Sequence, residues 1–354
     1  MRREDLLAHP TAFAHIGRVP HQRRRDFVKG LGALAGSVAL LGYDFRLANA
    51  DPPPEITKLR IHENEVTCTA PQIIAQQLLY AEGFTDVQYV NFPRDTQLWA
   101  PEVLLAGQVD ITFSFAPTSI LFVDSGEPVV ILAAAHNGCV ELVARDNIRS
   151  TRDLKGKTVN AQVIDSKLFI SMFAAYVGLD PQKDINWVSL PTGVDRIPFL
   201  KEGKIDAFMA GPPGNLEMRQ KKIGHVLVST TTDKPWSQHA CCLVACSKEF
   251  VRKYPVATKR ALRAILKGVD LCATDPSRVA RVWADRKLGS YDLALQVLRE
   301  LPYGQWRDIN VVDSLRFWAL RMHDVGAIKS SPQKIIDQGT DLRFLNELKK
   351  ELKA

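Results

Sequence analysis

One stretch of the chain is written twice. Leu104-Leu105-Ala106-Gly107-Gln108-Val109-Asp110 is echoed by Leu200-Lys201-Glu202-Gly203-Lys204-Ile205-Asp206, and each copy runs on through an apolar strand to a proline, Pro117 or Pro213. Upstream, Ala81-Glu82-Gly83-Phe84 is matched by Tyr176-Val177-Gly178-Leu179. The glycine offsets are 95 and 96 residues, far longer than the roughly 20 to 50 of a solenoid repeat. The repeat therefore predicts two similar α/β lobes, and two lobes imply a cleft.

Each copy alternates strand and helix signals. In the first, Thr67 to Ala70 reads as the end of a strand, with Pro71 placed where a helix tolerates proline and Gly83 closing the helix. Val87 to Val90 follows as a strand, Thr96 to Ala106 as a helix, and Val109 to Phe115 as a strand apolar enough to be buried on both faces. The second copy offers strands at Thr158 to Gln162, Trp187 to Leu190 and Ala207 to Ala210, with helices at Ser166 to Val177 and Arg196 to Lys201. Helical crossovers between strands require mostly parallel sheets.

The first 50 residues read as an export signal. Arg24-Arg25-Asp26-Phe27-Val28-Lys29 precedes a weakly hydrophobic run, Gly30 to Gly42, and Ala48-Asn49-Ala50 fits a small-residue cleavage pattern, predicting export by the twin-arginine route with cleavage after Ala50. Those residues carry eight basic and four acidic side chains, so removing them lowers the formal charge from +7 to +3. That balance gives no reason to expect nucleic acid as a partner, and no Arg-rich helix or zinc module supplies one.

The order of signal, Leu-x-x-Gly-x-Val-Asp lobe, Asp153-Leu154-Lys155-Gly156-Lys157-Thr158-Val159 entry and second Gly203-x-Ile205-Asp206-Ala207 unit resembles the periplasmic solute-binding proteins of ABC importers. The group it is most similar in style to binds nitrate, sulfonates and taurine, and includes proteins for thiamine-pyrimidine precursors and aromatic acids. The resemblance implies a type II periplasmic binding fold, α/β, with two mostly parallel-sheet lobes joined by two crossing strands. Cys139 to Ala144 and Cys241 to Cys246 would make those crossings. The expected organisation is signal 1–50, a discontinuous first lobe 51–143 plus 247–354, and a second lobe 144–246. A monomer that hands its solute to an ABC permease is implied as well.

Solutes of open α/β sheets sit at the carboxyl ends of the strands, beside helix N-termini. In the first lobe these positions are Thr69, Gln72, Asp95, Thr96, Phe115, Ala116, Thr118 and His136; in the second they are Asn160, Gln162, Asp165, Ser166, Thr192, Gly211 and Pro212. Phe92, Phe115 and Trp236 are the aromatics expected to be exposed in the cleft, with Arg94 and Arg196 as partners for an anion. A solute touching both lobes would stabilise the closed hinge, the behaviour described generally for periplasmic binding proteins.

Cysteine and histidine leave an enzymatic alternative to weigh. His239 stands near Cys241, Cys242 and Cys246, but strand alternation puts Cys242 and Cys246 on one face and Cys241 on the other. A thiamine-pyrimidine synthase belongs to the same fold and uses a cysteine-rich segment, which Cys241 to Cys246 echoes at a different spacing. G-x-S-x-G, P-loop and H-E-x-x-H motifs do not occur. Binding of a small organic solute, a sulfonate, aromatic acid or pyrimidine-like compound, without turnover, metal or cofactor is the expectation; the alternatives are a synthase-like enzyme or metal-binding exported protein, and a ligand sensor lobe without a transport role.

Overall fold

The computed structural model describes residues 51–63, 66–92, 100–161, 163–191 and 193–352. The proposed signal, 1–50, lies outside them, as do Arg94, Asp95, Thr96, Gln162 and Thr192. Among the described residues no helix is long and apolar enough to cross a membrane.

Two five-stranded sheets carry the chain from Pro52 onward. The strands are β1 (Lys58–Glu63), β2 (Asp86–Asn91), β3 (Ile111–Phe115), β4 (Val129–Asn137), β5 (Glu141–Ala144), β6 (Thr158–Asn160), β7 (Asn186–Val188), β8 (Ala207–Ala210), β9 (His225–Ser229) and β10 (Ala240–Ser247). Their orders are β2-β1-β3-β10-β4 and β7-β6-β8-β5-β9. Within each sheet one strand is reversed: β10 is antiparallel to β3 and β4, and β5 to β8 and β9, while β1 to β2 and β3, and β6 to β7 and β8, pair in parallel. Each reversed strand is the first to arrive from the opposite lobe, so the carboxyl ends of the other four all face that lobe.

The repeated motif is a device of the fold. Gly107 and Gly203 take left-handed backbone (φ +64° and +74°) and end their helices, as Cβ-free residues do at low cost. The aspartate three residues later then clamps the start of the next strand. Asp110 accepts the Arg60 N–H at 2.7 Å and receives the Arg60 guanidinium, while Asp206 accepts the Thr158 N–H at 2.9 Å and lies 3.3 Å from the Arg145 guanidinium. The apolar strands they launch are buried; Ile61, Ile111, Val159 and Ala207 are at most 1% exposed. Burying each large aliphatic side chain contributes roughly 1.5–3 kcal/mol.

Two differences from the sequence reading bear on the site. The first strand is Lys58–Glu63, and Thr67–Thr69 is a 3-10 turn leading into the helix Ala70–Ile74. The alternation of charged Lys58 and Arg60 with buried Leu59 and Ile61 is the true strand signal. The crossings themselves are the short segments 138–140 and 230–239; the apolar strands that follow them are absorbed into the sheets as β5 and β10. The two crossings lie against each other. Thr230 Oγ1 accepts the N–H groups of Cys139 and Val140, both at 3.0 Å, and a Cβ on Gly138 would come within 2.3 Å of the Thr230 carbonyl oxygen.

The C-terminal helices pack on the first lobe, around buried Trp283, Trp306 and Trp318. The helical patterns that the sequence carries at Val256 to Ala273, Ser277 to Arg286, Tyr291 to Arg299 and Val311 to Val325 correspond to four of these helices, Pro255–Thr274, Pro276–Asp285, Tyr291–Glu300 and Val311–Asp324. The last of them also touches the helix Ile164–Tyr176 of the second lobe.

Candidate functional site

Two cavities open between the lobes. The first, about 40 Å³, is lined on the first-lobe side by His62, Cys68, Thr69, Phe113, Ser114, Phe115 and Thr118, with Cys242 of β10, and on the second-lobe side by Asp165. Ala100 and Pro101 complete its apolar wall with Val66. Strand ends position the polar groups: His62 near the end of β1, Phe115 at the end of β3, Thr118 in the first turn of the helix Ala116–Asp124, and Asp165 in the first turn of Ile164–Tyr176.

Asp165 is the unusual member. It is buried, its Oδ1 has no hydrogen-bond partner, and burial, together with the Glu102 carboxylate and Cys242, pushes its pKa up to about 8. A helix N-terminus ordinarily favours the ionised form, so desolvation outweighs the dipole here. Thr118 Oγ1 is likewise buried without a partner. His62 has the opposite shift, held to about 4 by burial, and is neutral through the physiological range; its ring meets Phe92 edge-on at 5.4 Å. The cavity thus combines a carboxyl poised to give or accept a proton with a hydroxyl, a neutral imidazole and an aromatic wall.

The second cavity, about 200 Å³, is lined by Cys139, Glu141, Pro212, Asn215, Arg219 and Ser229, by Thr231 and Thr232 of the second crossing, and by Val297, Glu300 and Leu301 of the first lobe. Glu141 is buried, and its pKa is raised, by burial foremost, although Arg219 lies 3.1 Å away. The Arg219 guanidinium also donates to Glu300, and Gln220 to Gln296 at 2.6 Å, so two side chains of the helix Gly214–Gln220 reach the helix Tyr291–Glu300 of the other lobe.

Of the residues singled out from sequence, Thr69, Phe115, Thr118 and Asp165 meet in the first cavity and Pro212 lines the second. Gln72 is fully buried and clips the end of β1, its Nε2 donating to the His62 carbonyl at 2.8 Å. Ala116 and Ser166 are buried in their helices, and Gly211 accepts the Asn215 N–H at 3.1 Å beside the first crossing. Asn160, at the end of β6, donates to Val188 and keeps a buried Oδ1 without a partner. His136 faces a group of cysteines rather than either cavity. Arg196 is no cleft cation: its guanidinium covers the Phe208 ring at 4.7 Å and donates to the Met209 carbonyl, and burial lowers its pKa.

Trp236 corrects the expectation of an exposed cleft aromatic. It is 3% exposed, packed against Phe173 and Tyr176 of the second lobe and Phe317 and Trp318 of the first at ring separations of 4.8 to 5.7 Å. Helices from both lobes close over its loop, which a local sequence signal does not reveal. Sequence reasoning missed His62, because the first strand was placed too late, and Glu141 with Arg219, whose meeting depends on the pairing of β5 with β8.

Sheets with strand ends opposed across two adjacent crossings define the two-lobed periplasmic binding fold. The periplasmic nitrate-binding protein NrtA of Synechocystis superposes with a TM-score of 0.69 at 18% identity, over 85% of this chain and 90% of that one. The alkanesulfonate-binding protein SsuA of Xanthomonas axonopodis, bound to MOPS, gives 0.63 at 16% identity, over 79% and 96%. The chain belongs to the NMT1-like family, whose sequence profile matches residues 52–284. Curated relatives include the nitrate/nitrite binding protein NrtA of Synechococcus elongatus, 24% identical over 183 residues, and the 4-amino-5-hydroxymethyl-2-methylpyrimidine phosphate synthase THI5 of Saccharomyces cerevisiae, 24% identical over 224 residues. These alignments take in 49% and 58% of this chain, and 40% and 62% of the relatives' own lengths, less than two-thirds in each case.

Proposed function

We propose that this protein is the extracytoplasmic solute-binding component of an ABC importer, and that its solute is a small planar nitrogen base of the pyrimidine type, held between the lobes without turnover. The observation that carries the reading is Asp165, a buried carboxyl with an unpartnered oxygen facing a first-lobe wall of Phe115, Thr118 and neutral His62. A carboxyl group pairs in two-point fashion with the ring nitrogen and exocyclic amine of an aminopyrimidine, and aromatic edges suit a flat ring. A sulfonate, nitrate or aromatic carboxylate could only accept the one proton of neutral Asp165 and would be repelled wherever that group ionises, whereas an aminopyrimidine meets both of its oxygens. Because the solute touches both lobes, binding favours the closed form that a permease distinguishes.

The test is thermal melting against aminopyrimidines, sulfonates, aromatic acids, nitrate and bicarbonate. A solute at 100 times its dissociation constant adds about 2.7 kcal/mol of stability. Stabilisation by an aminopyrimidine that is lost in Asp165→Ala supports the reading; stabilisation by an oxyanion alone, or consumption of the solute, overturns it. Export by the twin-arginine route with cleavage after Ala50 belongs to the same proposal, and replacing Arg24 and Arg25 together by lysine is expected to hold the protein in the cytoplasm. Unchanged export would remove that part.

A further inference from the structure

Three cysteines and a histidine converge at the hinge, from four places in the chain. Cys68 sits in the 3-10 turn before the helix Ala70–Ile74, His136 near the end of β4, Cys139 in the first crossing and Cys242 in β10. All four are at most 3% exposed, and their Sγ and ring nitrogen atoms lie within 4.8 Å of one another. The Sγ atoms of Cys68 and Cys139 are each 3.9 Å from that of Cys242. With zinc–sulfur bonds of about 2.3 Å, the edge of a regular tetrahedron is about 3.8 Å, so these separations already match one ion at the centre.

His136 is set up to complete that tetrahedron. Its Nδ1 lies 2.9 Å from the Gly138 carbonyl oxygen and 3.1 Å from that of Asn137, two acceptors that require the proton on Nδ1. Nε2 is then the lone-pair nitrogen, and it is buried with no hydrogen-bond partner. A backbone carbonyl that holds the far nitrogen of an imidazole is the usual outer support of a metal-ligating histidine. Tyr303 braces the same group, its ring edge-on to His136 at 5.1 Å and its hydroxyl donating to the Cys68 carbonyl at 3.1 Å.

We infer that Cys68, His136, Cys139 and Cys242 form a binding site for a single zinc ion that fastens the first crossing to the first lobe. Three soft thiolates and one imidazole in tetrahedral disposition suit zinc, and their span is too small for a polynuclear cluster. Four protein ligands leave no open position, so the ion is structural: it joins Cys139 of the crossing to three residues of the lobe on which the hinge turns. The set expected to fail from strand alternation, His239 with Cys241, Cys242 and Cys246, does not assemble, since His239 stacks on Phe317 at 3.8 Å. Convergence comes instead from partners far apart in sequence. Cys241 lies outside the four, with its Sγ 3.3 Å from that of Cys139, and a disulfide between those two is the competing state of the same sulfurs.

The test uses the full chain, reduced and freed of metal, titrated with Co²⁺ and then Zn²⁺. One equivalent of Co²⁺ is expected to give tetrahedral visible bands and a thiolate-to-cobalt charge-transfer band of three-thiolate intensity, both discharged by one equivalent of Zn²⁺. Cys242→Ser and Cys68→Ser should weaken binding by about tenfold or more, the least seen even for outer-shell partners, whereas Cys246→Ser and Cys272→Ser, buried thiols outside the set, should bind as the parent does. Substoichiometric binding, a charge-transfer intensity of one or two thiolates, unchanged affinity in Cys242→Ser, or a Cys139–Cys241 disulfide in peptides of the native protein would each overturn the assignment. If a serine variant does not fold, the parent's cobalt spectrum alone decides. Because Asp165 is not a ligand, Asp165→Ala should retain the metal while losing the solute, so the two proposals fail separately.

Discussion

Asp165→Asn is expected to make the protein more stable at neutral pH, and increasingly so as pH rises. In the folded chain the carboxyl is fully buried with a pKa near 8, against 3.8 for the free side chain. Between those values the unfolded chain releases a proton that the folded chain keeps, so rising pH favours unfolding. The contribution is therefore largest in penalty above pH 8 and vanishes below about pH 4. Each unit of pH inside the window is worth about 1.4 kcal/mol, and from pH 5 to pH 7 the parent should lose on the order of 3 kcal/mol that the asparagine variant does not. Other groups titrate too, so the readout is the difference between the two proteins in urea melts at pH 5, 6, 7 and 8. A widening gap in favour of the variant is the expected result. Parallel stability profiles would mean that Asp165 is solvated or ionised in the folded state, and the aminopyrimidine reading would lose its basis with it.

Gly268→Ala offers a test in which local propensity and packing disagree in sign. Alanine gains up to about 1 kcal/mol within a helix, but a Cβ at Gly268 would stand 2.3 Å from the Pro71 carbonyl oxygen, so a net loss of about 1–2 kcal/mol in chemical denaturation is expected. Thr118→Val, which exchanges an unpartnered buried hydroxyl for a methyl, should leave the melting temperature unchanged or raised while weakening the solute by about tenfold, measured by calorimetry. Trp236 emission should be blue-shifted in the free protein because both lobes cover the ring, and should shift to the red if the lobes are forced apart, as in Phe173→Ala.

Much of this architecture was legible because it repeats. The Gly107 and Gly203 motifs mark two equivalent sets of strand ends, and of the fifteen strand-end positions they single out, Thr69, Phe115, Thr118 and Asp165 line one cavity. The C-terminal helices were equally plain, since amphipathic stripes such as that of Pro276–Asp285 are local. What stayed hidden depends on distant pairing. Cys68 and Cys242 meet across 174 positions, and His136 reaches them only because β4 lies beside β10. Trp236 looked like a loop aromatic because Pro235 and Lys234 flank it, yet Phe317 and Trp318, some eighty residues away, bury it.

The interlobe contact of Arg219 separates a surface ion pair from a buried one within a single side chain. Its partner Glu300 is 46% exposed, and such pairs contribute about 0–1 kcal/mol. Its other partner, Glu141, has a side chain only 3% exposed, with Oε2 lacking any hydrogen bond, so Arg219 offsets the desolvation of a carboxylate that the fold has already buried. Glu300→Ala should therefore cost under about 1 kcal/mol, whereas Arg219→Ala should cost about 3 kcal/mol by stranding Glu141. Since burial already raises the Glu141 pKa, loss of Arg219 raises it further, and the penalty of the variant should shrink on acidification as the carboxyl takes up a proton. Adding Glu141→Gln to Arg219→Ala should recover most of the loss, because no buried charge then remains. Small-angle scattering would show the consequence for closure: a larger radius of gyration for Arg219→Ala, returned toward the parent value in the double variant. Equal effects of Glu300→Ala and Arg219→Ala at all pH values would show that Glu141 is hydrated in solution and that the contact does not hold the lobes together.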